Sequence, residues 1–233
     1  GMRTPCPART TATMGRMTTC LLLHGAGSTP EFITRTFGPA AAERGWTLVA
    51  PDVRGMTMAQ MVELIASQGL DRHDVVGGVS LGAHAAARYC ATTGWAGRLY
   101  AVMPAWMGHP ESVAALTRTT ARRIDASSVS EVLADISAQA TAHDWILDEL
   151  RTAWTAMTDA QVAHALRVAA EQPAPDYAEL ETITASARVV ALADDPTHPE
   201  HVARAWAAAI MDATLAVVPR HVPSSAALAQ YLW

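Results

Sequence analysis

From residue 19 onward, short apolar runs alternate with longer stretches of helical periodicity, a pattern that few folds can accommodate. Six runs, each rich in β-branched or aliphatic residues, are separated by segments long enough for a helix. They are residues 19–24, 47–53, 74–79, 99–103, 188–193 and 214–218. A continuous apolar run suits a strand buried on both faces, and strands that alternate with helices pair in parallel. The pattern predicts an α/β fold with a mainly parallel sheet of about six strands flanked by helices.

The alternation stops between the fourth and fifth runs, where the chain has helical character and no strand-like run. Continuous helical character at this point indicates an insertion into the sheet rather than another strand–helix unit. We therefore predict a core made of residues 18–104 and 188–233, with a helical cap inserted as residues 105–187. Residues 1–17 hold no such run, and we expect an N-terminal extension there that is disordered or derives from a tag or an alternative start.

Composition narrows the possible partners. The 233 residues carry a net charge of −5, contain no lysine, and have their arginines scattered along the chain. Binding of nucleic acid or of an anionic membrane surface needs a local basic stripe, which is missing. No apolar run approaches the roughly 20 residues that span a bilayer, and none could serve as the core of a signal peptide. We expect a monomer or homodimer that acts on a small molecule, with no nucleic-acid or membrane partner.

The three cysteines, Cys6, Cys20 and Cys90, lack metal-ligand spacing. Since an odd number cannot all pair within one chain, a reducing compartment is the simpler interpretation. A cytoplasmic location is therefore expected.

A glycine-flanked serine directly follows the third predicted strand and precedes a helix. Residues 78–82 read GVSLG and match the pattern G-x-S-x-G. A serine on so sharp a turn needs small neighbours two residues before and after it, and Gly78 and Gly82 meet that need. The turn presents the Ser80 hydroxyl beside free N–H groups at a helix N-terminus. A glycine-rich turn with an incidental serine is the alternative, but the strand and helix on either side favour a nucleophile.

Five motifs together resemble the α/β-hydrolase fold superfamily, in the branch of small serine esterases and lactonases with a helical cap. They occur in the order of that family and span most of the chain. The motifs are HGAG at 24–27, PDVRG at 51–55, GVSLG at 78–82, DDPTHP at 194–199 and VVPRHVP at 217–223.

The resemblance implies a role for each matching residue. Ser80 would be the nucleophile, Asp195 the acid and His221 the base. The backbone N–H groups of Ala26 and Leu81 would form the oxyanion hole. Asp194 competes with Asp195 for the acid role. The chain departs from the family at Arg220, where relatives usually have glycine before the catalytic histidine.

The resemblance also places the pocket at the carboxyl ends of the strands, beneath the cap. Gly25, Trp106 and Met107 are the predicted substrate-binding residues. Three other apolar residues of the cap segment are expected to pack the cap helices on the sheet instead. They are Trp145, Trp154 and Met157.

Other histidines have structural interpretations. His24 is expected to brace the HGAG loop by hydrogen bonding, and His84 to pack within its helix. His198 and His201 are expected at the surface. A metal site formed by these two histidines and the neighbouring aspartates lacks any recognised ligand spacing, so no metal is predicted.

These residues predict a serine hydrolase that needs no cofactor. It would cleave a small, mostly uncharged carboxylic ester, thioester or lactone through an acyl-enzyme. The same triad can serve C–C hydrolysis, lyase chemistry or cofactor-free perhydrolysis. A ligand-binding protein on a hydrolase scaffold is a more distant alternative.

Overall fold

The computed structural model describes residues 16–110, 112–140 and 144–233. Each of its six strands overlaps one of the six apolar runs. They are β1 (Thr19–Leu23), β2 (Thr47–Val49), β3 (Val75–Val79), β4 (Arg98–Val102), β5 (Ser186–Leu192) and β6 (Ala213–Val218). All neighbouring strands pair in parallel, in the order β2-β1-β3-β4-β5-β6. The predicted fold class is confirmed.

Ten helices occur in the described part of the chain. They are α1 (Pro30–Glu43), α2 (Met58–Ala66), α3 (Leu81–Thr93), α4 (Ser112–Ala126), α5 (Val129–Gln139), α6 (Trp145–Thr155), α7 (Asp159–Glu171), α8 (Tyr177–Glu181), α9 (Glu200–Ala209) and α10 (Ala226–Ala229). No helix among the described residues is long and apolar enough to cross a membrane.

Apolar side chains cover both faces of the sheet. Along β1, Leu21 and Leu23 belong to one buried cluster, whereas Cys20 and Leu22 belong to another. Successive side chains of a strand point to opposite faces, so a strand covered on both sides must be apolar at every position. This requirement explains why the predicted strands are continuous apolar runs.

One strand is shorter than predicted. β2 ends at Val49 instead of continuing to residue 53, and Pro51 has no N–H to donate to a neighbouring strand. At the N-terminus, residues 1–15 of the predicted extension lie outside the described residues. Arg16 donates to Asp74 at 2.8 Å, and the Thr19 N–H donates to the same carboxylate at 2.8 Å.

Helices α4 to α8 fill the chain between β4 and β5. An apolar cluster of their own joins α4 to α7, including Ile124, Val132 and Trp154. In contrast, α8 packs against α3 and α9, two helices of the predicted core. The cap boundaries at residues 105 and 187 stay a prediction.

Candidate active site

Ser80 occupies the sharp turn between β3 and α3. Its backbone lies at φ 56° and ψ −116°, a conformation that side chains other than glycine rarely adopt. The Ser80 N–H donates to the carbonyl of Val102 at 2.8 Å, and the Ser80 carbonyl accepts from the His84 N–H at 3.1 Å. Met103 and Asp194 are the other described non-glycine residues with positive φ. They follow the ends of β4 and β5, so backbone strain is concentrated at one edge of the sheet, where functional sites often store it.

Gly78 and Gly82 make this turn possible. A Cβ atom on Gly82 would lie 2.3 Å from the carbonyl oxygen of Leu23, and one on Gly78 would lie 2.5 Å from the same oxygen. Both distances are well inside contact distance, and the obstacle is backbone rather than a movable side chain. The turn therefore requires glycine at both positions, as the motif predicts.

We expect Gly82→Ala to destabilise the fold by about 3 kcal/mol, because the new methyl group has to push α3 away from β1. Urea unfolding followed by circular dichroism measures this loss. The matched control is Gly38→Ala in α1, where the nearest atoms to an added Cβ are 3.9 Å away. That control should change the stability by less than about 1 kcal/mol, because the helix propensity of alanine offsets the crowding of its Cβ against the ring of Pro39. Equal stability of the two variants would contradict the prediction.

The loop after β1 packs directly against Ser80. His24 is buried, its Nδ1 donates to the carbonyl of Gly25 at 2.9 Å, and its Nε2 accepts from the Val53 N–H at 3.0 Å. Burial lowers the pKa of His24, so the ring is neutral while it holds the loop. A Cβ on Gly25 would lie 3.2 Å from the Ser80 Cβ. The bracing role predicted for His24 is confirmed.

Asp195 is the buried acid of the turn after β5, being only 4% exposed. One of its oxygens accepts from the N–H and hydroxyl of Thr197, at 2.9 and 2.8 Å, and the other accepts from His198 Nδ1 at 2.8 Å. Burial alone would raise the pKa of Asp195, but these hydrogen bonds outweigh it and hold the pKa well below its usual range. Asp194 is exposed. The geometry thus favours Asp195 over Asp194 as a partner for a histidine.

The histidine that meets this carboxylate is His198, three residues further along the same turn. Its side chain is only 16% exposed, and it lines one cavity together with Ser80. The expectation that His198 lies at the surface is wrong. Hydrogen bonding from Nδ1 to Asp195 leaves Nε2 as the nitrogen able to accept a proton.

The structure does not bring His221 to Ser80. His221 is exposed and is not among the residues that line the Ser80 cavity. The preceding residue, Arg220, reaches inward instead, with its guanidinium 3.3 Å from Asp195 and 2.6 Å from Asp144. β6 ends at Val218 and the chain bends at Arg220, so the Arg220 side chain points inward while His221 is exposed to solvent.

The cavity beside Ser80 has a volume of about 100 Å³. Gly25 and Ala26 border it, as does Glu149, which pairs with Arg35. Its apolar wall comes from α1, the ends of β3 and β4, and α6. The wall residues are Phe32, Val79, Met103, Trp145, Ile146 and Leu150.

Two of the predicted substrate-binding residues lie elsewhere. Trp106 is buried in the core, where its Nε1 donates to the carbonyl of Gln172 at 3.1 Å, and Met107 packs against the same core. Trp145, predicted to be a packing residue, lines the cavity. A sequence signal existed: Trp145, Glu149 and Ala153 are spaced four residues apart, which places them on one face of α6.

His84 lies fully buried in α3, one turn after Ser80. Its Nε2 accepts from the Ala105 N–H at 3.0 Å, and its ring packs against Trp106 and Trp206 at centroid distances of 4.9 and 5.5 Å. Burial lowers the pKa of His84 to about 3, with smaller contributions from His198 and Arg88. His84 is therefore a neutral packing residue, as predicted. No three histidine, cysteine or acidic side chains among the described residues come close enough to hold a metal ion.

Solved structures share this architecture at low sequence identity. An enol-lactonase from Burkholderia xenovorans LB400 is 18% identical, with a TM-score of 0.68 over 88% of this chain and 84% of its own. A thermophilic esterase from Thermogutta terrifontis is 21% identical, with a TM-score of 0.66 over 87% of this chain and 81% of its own. A carboxylesterase structure from Nitrososphaera gargenis is 14% identical, with a TM-score of 0.74 over 92% and 86%.

No protein-family model matches the sequence, and no curated protein matches it either. The assignment therefore comes from tertiary structure: an all-parallel sheet, a strained serine between β3 and α3, and neighbours that superpose over more than four-fifths of both chains. On these grounds the protein has the α/β-hydrolase fold.

Proposed function

We propose that the protein is a serine hydrolase of small, uncharged carboxylic esters that reacts through an acyl-enzyme. One observation carries the proposal: the strained Ser80 shares a cavity with His198, whose Nδ1 lies 2.8 Å from the buried carboxylate of Asp195. A nucleophile, a base and an acid that orients the base are the three parts that acyl transfer by serine requires. The esterases and the lactonase of the same fold support the choice of ester chemistry.

In the proposed mechanism, His198 Nε2 takes the proton of the Ser80 hydroxyl as Ser80 attacks the ester carbonyl. Asp195 accepts the hydrogen bond from Nδ1 and stabilises the imidazolium that forms. The imidazolium then protonates the leaving alcohol, and water attacks the acyl-enzyme with His198 again as the base. His198 takes the role that the sequence motif assigned to His221.

In this proposal, the backbone N–H groups of Leu81 and Ala26 stabilise the tetrahedral oxyanion. Leu81 is the first residue of α3, and the first N–H groups of a helix have no partner within it. Ala26 lies in the loop that borders the cavity. N–H groups aimed at developing charge are worth about 10²–10³ in kcat each in such sites.

The size and walls of the cavity support a choice of substrate class. A volume of about 100 Å³ is smaller than that of an apolar cavity of ~150 Å³ that binds one benzene molecule. The apolar wall suits a short, uncharged alkyl group, because burying a charge there without a partner is costly. We therefore propose an acyl group of about two to four carbons.

A series of p-nitrophenyl esters from acetate to octanoate tests the proposal. We expect kcat/KM for acetate and butyrate to exceed that for octanoate by about tenfold or more, because a longer chain overpacks the cavity at a cost of about 1–3 kcal/mol. The Ser80→Ala variant serves as the blank. A preference for octanoate would contradict the cavity assignment. Failure to hydrolyse any ester, in a protein that a fluorophosphonate still labels at Ser80, would contradict ester hydrolysis itself.

A further inference from the structure

Arg220 connects two carboxylates that belong to different parts of the molecule. It follows β6, and its guanidinium contacts Asp144 at 2.6 Å and Asp195 at 3.3 Å. The Arg220 side chain is 21% exposed, the Asp144 side chain 19% and the Asp195 side chain 1%. We call these three residues the Arg220 bridge.

On one side, the bridge holds the helix that forms the cavity wall. Asp144 is the N-cap of α6, and its Oδ1 accepts from the Ile146 N–H at 3.0 Å while Oδ2 accepts from Arg220. The next residues of α6, Trp145 and Ile146, line the cavity. A shift of Asp144 would therefore move the cavity wall.

On the other side, the bridge meets the acid of the proposed triad. Asp195 turns one oxygen to His198, and Arg220 approaches the other, the same oxygen that accepts from Thr197. A planar guanidinium can contact two carboxylates at once, whereas the ammonium of lysine is a compact point charge.

We propose that Arg220 is a positioning residue that ties helix α6 to Asp195, so that the width of the acyl cavity and the orientation of the Asp195–His198 pair depend on one guanidinium. This inference rests on the proposed function. Arg220 acts through Asp195 and α6 and does not touch the reacting atoms.

Four charged or titratable groups surround His198 and determine how readily it accepts a proton. Asp195 attracts the positive charge, and Glu149 lines the same cavity from α6. Arg220 opposes the positive charge from behind Asp195, and the neutral, buried His84 lies beneath in α3. Removing only the Arg220 charge favours the protonated imidazole, which cannot act as a base.

The test compares the rate of Ser80 labelling by a fluorophosphonate across pH in Arg220→Gln, Arg220→Lys and Asp144→Asn. Labelling needs only the nucleophile and its base, so it does not depend on the identity of the natural substrate. For Arg220→Gln we expect the acid limb of the labelling profile, the range in which labelling falls as the pH is lowered, to move up by about one pH unit. Labelling at pH values below that limb then falls by up to about tenfold. Arg220→Lys should keep the wild-type acid limb. Asp144→Asn should not raise it.

Selectivity for acyl length tests the contact between Arg220 and Asp144, which holds α6. All three variants should narrow the butyrate-to-octanoate ratio of kcat/KM by about threefold or more, because α6 loses its tether. The matched control is Arg204→Gln, which breaks an arginine–carboxylate pair on the exposed face of α9 and should leave both readouts unchanged.

An Arg220→Gln protein with the wild-type acid limb and the wild-type selectivity overturns the inference. If Arg220→Gln does not fold, the test relies on Arg220→Lys. Wild-type acyl-length selectivity in Arg220→Lys would overturn the claim that Arg220 ties α6 to Asp195. Absence of labelling in the wild-type protein overturns the proposed function, and the bridge with it. A labelled wild type whose variants show no change overturns the bridge alone.

Discussion

Replacing Ser80 with alanine should lower kcat/KM for p-nitrophenyl acetate by about 10⁴-fold or more. The variant has no nucleophile, and in hydrolases of this kind loss of the serine removes all but the contribution of the oxyanion hole and of binding. A factor of 10⁴ corresponds to about 5.5 kcal/mol of transition-state stabilisation. Alanine keeps the Cβ atom of serine, so the strained turn meets the same contacts and the stability should change little. Steady-state kinetics, with mass spectrometry of the fluorophosphonate adduct, measures the effect.

Ser28 provides the matched control because it lines the same cavity. Ser28→Ala should retain kcat/KM within about threefold, since its hydroxyl has no part in the proposed chemistry. A Ser80→Ala protein that retained most of its activity, or remained labelled, would show that the strained serine is not the nucleophile.

His198→Ala should lower kcat/KM by about 10³-fold, whereas His221→Ala should change it by less than about twofold. General-base catalysis by a positioned side chain contributes about 10²–10⁴-fold, and only His198 joins the buried carboxylate to the Ser80 cavity. His221 is exposed and lines no part of that cavity. Steady-state kinetics on the two variants, purified side by side, separates these outcomes.

The opposite ranking of the two histidines would restore the assignment made from sequence. Activity lost in His221→Ala and kept in His198→Ala would mean that the turn after β6 rearranges to bring His221 to Asp195. Arg220 would then have to leave both of its carboxylates. The stability of both variants should be measured by urea unfolding. His198→Ala removes the His198–Asp195 hydrogen bond and leaves a buried carboxylate with fewer partners, which lowers the stability as well as the activity.

Local sequence patterns predicted the strands and the nucleophile turn because both depend on neighbours along the chain. A strand buried on both faces has to be apolar at every position, and the six runs satisfy this condition. The turn at Ser80 has to have glycine on each side because two backbone segments cross there, within 2.3 to 2.5 Å of any added Cβ. Both requirements can be recognised from the amino-acid sequence alone.

The partners of Ser80 were not predictable in the same way. DDPTHP and PRHVP each contain a histidine, and only the path of the chain after β6 shows that Arg220 points inward. The cavity wall depends similarly on how α6 is seated, which brings Trp145 to the cavity while Trp106 packs into the core. Asp194 and Asp195 are adjacent in the sequence, yet Asp194 is exposed and Asp195 is buried.

The amino-acid sequence was therefore sufficient for the parallel α/β architecture, the elbow at Ser80 and the aspartate-bearing turn after β5, because periodicity and glycine spacing are properties of neighbouring residues. The identity of the histidine beside Asp195, the makeup of the cavity and the role of Arg220 came only from tertiary structure. His198 and Asp195 are only three positions apart, but the other contacts that build these features join residues from 25 to more than 100 positions apart along the chain. Which side chains meet across such separations depends on how helices and turns pack, and that packing produces no periodic pattern in the sequence.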